Sequence, residues 1–329
     1  MAFRYSLAQV RETQDVLAAH LPQTSLRLAT RLFPADAQIY LKLEMELPTA
    51  SFKPRGALAA LLHARTKASF TEVTAASTGN HGAAVAWSAR KLGVRATIFL
   101  PRDPNPIKRN KIAALGARIV EAGGPDLADA FLLAREYSSK PGVYFLNDAT
   151  DSVLPLGPAT IGLEILEQLP GVRSIYVPMG DTALIRGVAS AVKQLDSQIR
   201  IVGVQAELAP SYYLSWKQGR PVATETCDTC ADGLATRTPE AENVRAIREL
   251  VDDVVLVTED ELLQAIRSLF FSEGVLAEPA GAASTAACLK NPLARAPVAL
   301  LVTGANITGD LRSRAGLPAP SPASPETSV

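Results

Sequence analysis

Short apolar runs of strand length alternate with amphipathic helical stretches along most of the 329 residues of this chain. This alternation is typical of α/β proteins, in which largely parallel sheets are flanked by helices. The apolar runs predict strands at residues 38–44, 72–76, 96–100, 118–121, 143–146, 174–178, 200–205, 253–257 and 298–302.

Stretches with helical periodicity separate most of these strands. They predict helices at residues 54–67, 106–115, 127–137, 160–168 and 259–272, an Ala-rich helix ending near residue 92, a helix opening within 180–187, and a largely helical segment 1–37 with a loop at 22–25. Thr258 and Glu261 have the spacing of a capping box, which predicts the helix start at Glu259.

The order of these elements predicts two lobes. Residues 1–47 and 149–312 are expected to form a large lobe, and residues 48–148 a small one. Residues 313–329 are rich in Pro, Ser and Ala and lack periodic hydrophobicity, so we expect a disordered tail.

The charge and composition of the chain argue against several classes of binding partner. The chain has 33 basic and 33 acidic residues and no long basic run, which argues against a nucleic-acid or membrane surface and favours a small-molecule partner. Charged residues interrupt the N-terminal segment, so we expect no signal peptide or membrane span and a cytoplasmic location. The spacing of Cys227 and Cys230 is that of a redox or metal pair, but no second pair or nearby histidine accompanies them, which favours an incidental loop pair.

Lys53 is the first candidate for chemistry. It lies between a strand-like segment and the helix predicted from Pro54, with Phe52 and Ala57 nearby. A lysine held at a rigid junction among apolar groups loses its proton more easily than one in water, and its neutral amine attacks aldehydes to form a Schiff base. The alternative is a lysine that caps a solvated turn.

Two further junctions have the same form, at Ser77–Gly82 and Gly180–Gly187. Parallel α/β sheets bind ligands where strands pass into loops and helices, and helix N-termini attract anions. The three junctions therefore predict one shared site.

These residues carry a family resemblance. The chain resembles the fold type II pyridoxal phosphate (PLP) enzymes, of tryptophan synthase β-like fold, and specifically the threonine/serine dehydratase and serine racemase family. Five motifs recur in that family's order: Ser51–Ala57, Ser77–His81, Thr160–Ile165, Ala231–Ala235 and Glu278–Ala282.

The resemblance implies a PLP cofactor and a role for each matching residue. Lys53 would hold the cofactor as a Schiff base and remove the substrate's α-proton, Phe52 would pack near the ring, and Asn80 would bind its phenolic oxygen. Substrate carboxylate binding falls to Ser77, Thr78, Gly79 and His81, phosphate binding to Gly180, Asp181, Thr182, Ala183 and Leu184, and contact with the ring nitrogen to Thr303. For His81, a solvent-facing position at a helix start is the alternative.

The chain departs from the family pattern in two places. Asp181, Thr182 and Ala183 replace three glycines of the family's tetraglycine phosphate loop. We interpret Asp181 as a helix N-cap, with Arg186 as a candidate cation beside it. Glu207 matches one ligand of the family's cation site, but Tyr213 stands where an acidic ligand is expected, so no metal is predicted.

The resemblance implies β-elimination of a small β-hydroxy amino acid, such as threonine or serine, to a 2-oxo acid and ammonia. A hydroxyl from Thr303 leaves the cofactor a weaker electron sink than a carboxylate partner would, which favours prompt loss of a β-leaving group. Amino acid racemisation, with Thr78 in the position of a second acid/base, and β-replacement are alternatives. A non-catalytic ligand-binding homologue is another. The family also implies a homodimer.

Overall fold

Ten strands form two separate sheets in the computed structural model, which describes residues 5–124, 127–291 and 295–319. The six-stranded sheet has the order β1-β2-β10-β7-β8-β9. Its strands are β1 (Leu26–Leu28), β2 (Ile39–Leu43), β7 (Ser174–Pro178), β8 (Arg200–Ala206), β9 (Asp253–Val257) and β10 (Val298–Val302). Only β1 pairs antiparallel, with β2, and the other four pairings are parallel.

The four-stranded sheet is entirely parallel and has the order β5-β4-β3-β6. Its strands are β3 (Glu72–Ala76), β4 (Arg95–Leu100), β5 (Arg118–Glu121) and β6 (Val143–Phe145). The two predicted lobe boundaries fall between the strands of the two sheets. The domain limits themselves stay a prediction.

Helices cover both sheets. They are α1 (Leu7–Ala18), α2 (Lys53–Lys67), α3 (Asn80–Lys91), α4 (Pro106–Ala114), α5 (Leu127–Tyr137), α6 (Leu156–Gln168), α7 (Ala183–Leu195), α8 (Ser211–Gln218), α9 (Ala241–Leu250), α10 (Glu259–Glu273), α11 (Pro279–Lys290) and α12 (Gly309–Arg314). All residues of β7 and β10 are buried, as expected for parallel strands with helices on both faces. The predicted α/β fold with largely parallel sheets is confirmed.

Two local predictions need correction. The segment 26–37, predicted as helical, contains β1 and a 3-10 helix at Ala35–Ala37. Pairing with β2 supplies β1 with hydrogen-bond partners that the local sequence does not reveal. The predicted tail also begins too early, because Ser313 lies in α12 and Leu317 is only 7% exposed. Residues 320–329 lie outside the described residues.

A buried network of charges fixes α2 to the large sheet. The Arg55 guanidinium donates to Glu44 at 2.8 Å and to Glu164 at 2.6 Å. Glu164 also accepts a 2.6 Å bond from Lys42. These four side chains are at most 5% exposed. Since each buried charge has an opposite partner, the network holds the start of α2 in one position.

The predicted capping box at α10 is confirmed. Thr258 accepts a hydrogen bond from the Glu261 backbone at 3.2 Å, and the Glu261 carboxylate accepts one from the Thr258 backbone at 2.8 Å. Within residues 5–124, 127–291 and 295–319, no helix combines the length and the apolar character that a membrane span requires.

Candidate active site

Lys53 is the first residue of α2, and the chain before it is tied to the end of β10. The Phe52 N–H donates to the Thr303 carbonyl oxygen at 3.0 Å, and Ser51 forms an isolated bridge with Gly304. Thr49 and Ala50 have positive φ angles of 70° and 54°. This backbone conformation is unfavourable for residues other than glycine, so contacts with β10 hold the lysine junction in a strained turn.

Asp148 follows β6 and holds the Lys53 side chain. Lys53 Nζ lies 2.7 Å from Asp148 Oδ2, and the two side chains are 21% and 25% exposed. His81 Nδ1 lies 3.9 Å from the same carboxylate oxygen, while His81 Nε2 lies 3.0 Å from the carbonyl oxygen of Leu146. One carboxylate oxygen therefore faces two basic groups that come from different helices.

Burial and the neighbouring charges shift the pKa values of Asp148 and His81. Burial favours a higher pKa for Asp148, but the adjacent His81 and Lys53 outweigh it and lower the pKa below its usual range. Burial lowers the pKa of His81, and the charge of Lys53 adds to this effect while Asp148 opposes it. Asp148 is thus held as a carboxylate, and His81 is favoured in its neutral form.

Asn80 is the first residue of α3, and two side chains fix its amide. Asn80 Nδ2 donates to Glu278 Oε1 at 2.6 Å, and Asn80 Oδ1 accepts from Asn306 Nδ2 at 2.6 Å. Burial raises the pKa of Glu278 to about 7, against the effect of the hydrogen bond from Asn80. The second N–H of the Asn80 amide makes no hydrogen bond within the described part of the chain, so it is available to a ligand.

The turn before α7 presents backbone N–H groups that are suited to an anion. The N–H groups of residues 180–184 donate no hydrogen bond to any residue that the structure describes. Thr182 has a left-handed φ of 67° and directly precedes the helical residue Ala183. Successive N–H groups in such a turn converge on one point and bind anions, with the helix N-terminus adding to the attraction.

Gly180 makes this turn possible. A Cβ atom at this position would lie 2.2 Å from the carbonyl oxygen of Gly233, which belongs to the Ala231–Ala235 motif. The single glycine retained from the family's loop therefore stands where a side chain has no room. Asn243 supports the same turn by donating to the Asp181 carbonyl oxygen at 3.3 Å.

The interpretation of Asp181 as an N-cap is wrong, because Thr182 occupies the N-cap of α7. Asp181 Oδ1 instead accepts a hydrogen bond from the Thr236 hydroxyl at 3.2 Å. Arg186 donates to the Thr182 hydroxyl at 3.0 Å. Burial and the charge of Asp148 raise the pKa of Asp181 to about 6, which reduces its repulsion of an anion in weakly acidic solution.

The remaining predicted residues lie around these groups. Ser77, Thr78 and Gly79 are partly buried between β3 and α3, where the Ser77 hydroxyl accepts from the Gly79 N–H at 3.2 Å. Thr303 is 4% exposed at the end of β10. The expected alternative of a solvent-facing His81 is wrong, because this residue is only 5% exposed.

Glu207 and the pair Cys227 and Cys230 are the remaining residues that the sequence analysis considered for metal binding. Glu207 is exposed and Tyr213 partly buried, and the described residues contain no group of three side chains suited to a metal ion. Cys227 and Cys230 are partly buried and form no disulfide among the described residues.

Sequence reasoning missed three polar residues of the site. Glu278 opens one of the five motifs and Asn306 follows Thr303 by three residues, but their contacts with Asn80 are long-range. Asp148 had one local signal, because it is a carboxylate just after a predicted strand in the small sheet. Side chains at the carboxyl ends of parallel strands meet at one edge, and this rule would have made it a candidate.

A protein-family model described as pyridoxal-phosphate dependent enzyme matches residues 17–304. The chain belongs to this family. It is 35% identical to an L-threonine ammonia-lyase of Thermotoga maritima over 311 residues, covering 94% of this chain and 77% of that protein. It is 38% identical to an L-threonine ammonia-lyase of Geobacter sulfurreducens over 251 residues, covering 76% of this chain but only 62% of that protein.

Solved structures agree with this assignment. The structure of maize serine racemase superposes with a TM-score of 0.86 at 26% identity, covering 95% of this chain and 97% of that chain. The family resemblance drawn from the motifs and the prediction of a PLP cofactor are confirmed.

The site of this PLP-dependent enzyme fits its cofactor. The N–H groups of residues 180–184 suit a phosphate, and the free N–H of the Asn80 amide suits a phenolic oxygen. Gly304 allows Glu278 to reach Asn80, since a Cβ atom at this position would lie 2.2 Å from Glu278 Oε1 and 3.4 Å from Asn80 Nδ2. Lys53 supplies the amine that a cofactor aldehyde requires.

Proposed function

We propose that this enzyme eliminates water from a small β-hydroxy amino acid, threonine or serine, and releases a 2-oxo acid and ammonia. The observation that carries the proposal is the pairing of Lys53 at the start of α2 with Thr303 at the end of the adjoining strand, joined by the 3.0 Å backbone hydrogen bond from Phe52 to Thr303. The two L-threonine ammonia-lyases among its relatives support the same reaction.

PLP supplies the electron sink that makes the α-proton of a bound amino acid acidic. We assign the remaining tasks to side chains and backbone groups of this chain. Lys53 holds the cofactor and takes the α-proton, Asn80 binds the phenolic oxygen, and Phe52 packs near the ring. The turn Gly180–Leu184 binds the phosphate, the Thr303 hydroxyl faces the ring nitrogen, and the loop Ser77–Gly79 with the adjacent His81 binds the substrate carboxylate.

Elimination leaves an enamine product that water hydrolyses to the 2-oxo acid and ammonia. Lys53 takes the α-proton on one face of the substrate, and the departing hydroxide takes up one proton and leaves as water. Racemisation requires a second acid/base on the opposite face, where the family resemblance places Thr78. The methyl group of a threonine occupies space beside its hydroxyl, which disfavours proton delivery and makes elimination the preferred reaction.

The test combines absorption spectra with product analysis. The PLP-loaded chain is expected to show the visible band of a lysine-bound cofactor and to release ammonia and 2-oxo acid from L-threonine or L-serine. Lys53→Ala should abolish the band and the activity, while the control Lys67→Ala, an exposed lysine at the other end of α2, should retain both.

Three other results would each replace the proposal. Racemised substrate without 2-oxo acid would identify a racemase, and product formed only when a second nucleophile is added would identify a β-replacement enzyme. A bound cofactor without turnover of any amino acid would favour a non-catalytic binding protein. The homodimer and the cytoplasmic location belong to the proposal, and light scattering of the purified enzyme checks the first.

A further inference from the structure

His81 presents a buried, unused nitrogen to the carboxylate that holds Lys53. A carbonyl oxygen only accepts hydrogen bonds, so the 3.0 Å contact with the Leu146 oxygen requires the hydrogen of neutral His81 to be on Nε2. Nδ1 then carries a lone pair. It is buried, makes no hydrogen bond within the described part of the chain, and lies 3.9 Å from Asp148 Oδ2.

Lys53 must lose a proton before its amine can react, and the reaction proposed above depends on that step. Its ammonium contacts Asp148 Oδ2 at 2.7 Å, within hydrogen-bonding distance. Because the side chains of Lys53 and Asp148 are 21% and 25% exposed, bulk water has limited access to the pair. A second basic group on the same oxygen provides a nearby place for the proton.

We propose that His81, linked through Asp148, holds the proton that Lys53 loses when its amine becomes reactive. Asp148 Oδ2 accepts the proton from Nζ at 2.7 Å and passes it to His81 Nδ1 after the 3.9 Å gap between these two atoms closes to hydrogen-bonding distance. The ammonium and neutral imidazole become a neutral amine and an imidazolium, and the carboxylate ends unchanged. Asp148 and His81 are positioning and proton-holding residues in this scheme, and Lys53 remains the catalytic residue.

Burial is the largest effect on His81 and lowers its pKa, and the Lys53 ammonium adds to it, whereas Asp148 and Asp151 stabilise the imidazolium. Once Lys53 is neutral, the opposing charge is gone and both carboxylates remain. Asp181 is the alternative acceptor for the Lys53 proton, because the charges of Lys53 and Asp148 also act on it. Its carboxylate accepts a hydrogen bond from the Thr236 hydroxyl.

Histidine NMR of the full-length chain tests the link directly, since the protein has only three histidines. In cofactor-free protein, Lys53→Met is expected to raise the titration midpoint of His81 by about one pH unit, the usual effect of removing a like charge. His20 and His63 serve as internal controls and should not move. Lys53→Arg keeps the positive charge and should not reproduce the rise, and Lys53→Gln gives a second neutral variant if Lys53→Met fails to fold.

Asp148→Asn tests the linking carboxylate. This variant is expected to lower the His81 midpoint, whereas Asp181→Asn should leave the response of His81 to Lys53→Met intact. An unchanged His81 midpoint in both neutral lysine variants would overturn the proposal. A response that depends on Asp181 rather than Asp148 would also overturn it.

The rate at which PLP recombines with the cofactor-free enzyme tests whether His81 takes up the Lys53 proton, and not only whether the two residues are close. The wild-type rate should fall in acid, where His81 is already protonated. In His81→Gln this inflection should disappear. The rate at neutral pH should fall by a factor of up to about ten. A wild-type pH profile in His81→Gln would contradict the proposal. Product analysis is a separate measurement, so failure of the elimination assay would not be mistaken for failure of this exchange.

Discussion

The side-chain amide of Asn80 donates a 2.6 Å hydrogen bond to the carboxyl group of Glu278, although 198 residues separate them in the chain. Burial raises the pKa of Glu278 to about 7, so the folded protein keeps this group protonated at pH values where the unfolded chain ionises it. Between about 4.5 and 7, Glu278 therefore binds more protons in the folded state than in the unfolded state. Its contribution to the free energy of unfolding decreases as pH rises through this interval.

Glu278→Gln should remove this dependence. As pH rises, the free energy of unfolding of the variant is expected to increase relative to that of wild type. Each pKa unit by which the fold raises Glu278 corresponds to about 1.4 kcal/mol of this difference. Urea unfolding of the cofactor-free proteins across this interval measures the difference. The exposed Glu249→Gln on α9 is the control and should run parallel to wild type. A Glu278→Gln curve parallel to wild type would contradict the assigned protonation.

Gly180→Ala should weaken cofactor binding. The new Cβ atom would meet the Gly233 carbonyl oxygen at 2.2 Å, so the turn that offers its N–H groups must shift. Overpacking of this kind costs about 1–3 kcal/mol, and a loss of 1.4 kcal/mol corresponds to a roughly tenfold higher Kd for PLP. Gly309→Ala is the control because nothing lies within 4 Å of its added atom. Equal PLP titrations for the two variants would show that Gly180 is not required.

Arg55→Ala should destabilise the chain strongly. It leaves Glu44 and Glu164 buried without their main cation, and such a loss costs about 3–5 kcal/mol. Arg109→Ala breaks an ion pair with Glu121 whose side chains are 40% and 38% exposed, and should cost less than about 1 kcal/mol. Denaturant unfolding measures both, and similar losses would argue against a structural role for the buried network.

Ala50→Gly should stabilise the turn before Lys53. The φ of 54° at Ala50 costs about 1–2 kcal/mol in a residue with a Cβ atom. Glycine removes this strain but gains freedom in the unfolded chain, so we expect a net stabilisation of up to about 1 kcal/mol. The same change at exposed Ala113 in α4 should destabilise by about 1 kcal/mol. Thermal unfolding of both variants checks the signs, and a loss of stability in each would show that Ala50 is unstrained.

Local patterns predicted most of the elements and the residues that carry the family resemblance. Strands β3, β5, β7, β9 and β10 have the predicted bounds, because short runs rich in apolar and β-branched residues favour strands locally. The junctions at Lys53, Asn80 and Gly180 were found for a related reason. A strand that passes into a helix leaves a local signature of small, polar and Pro residues.

The sequence by itself thus determined the fold class and the cofactor, and it predicted Lys53 as the residue that holds the cofactor. Only the tertiary structure decided what surrounds that lysine. Asp148 contacts Lys53 across 95 residues of sequence, and the burial of His81 turns a predicted helix-start residue into a partner of that carboxylate. Such contacts depend on how separate elements pack, and neither hydrophobic periodicity nor motif spacing contains the distances between them.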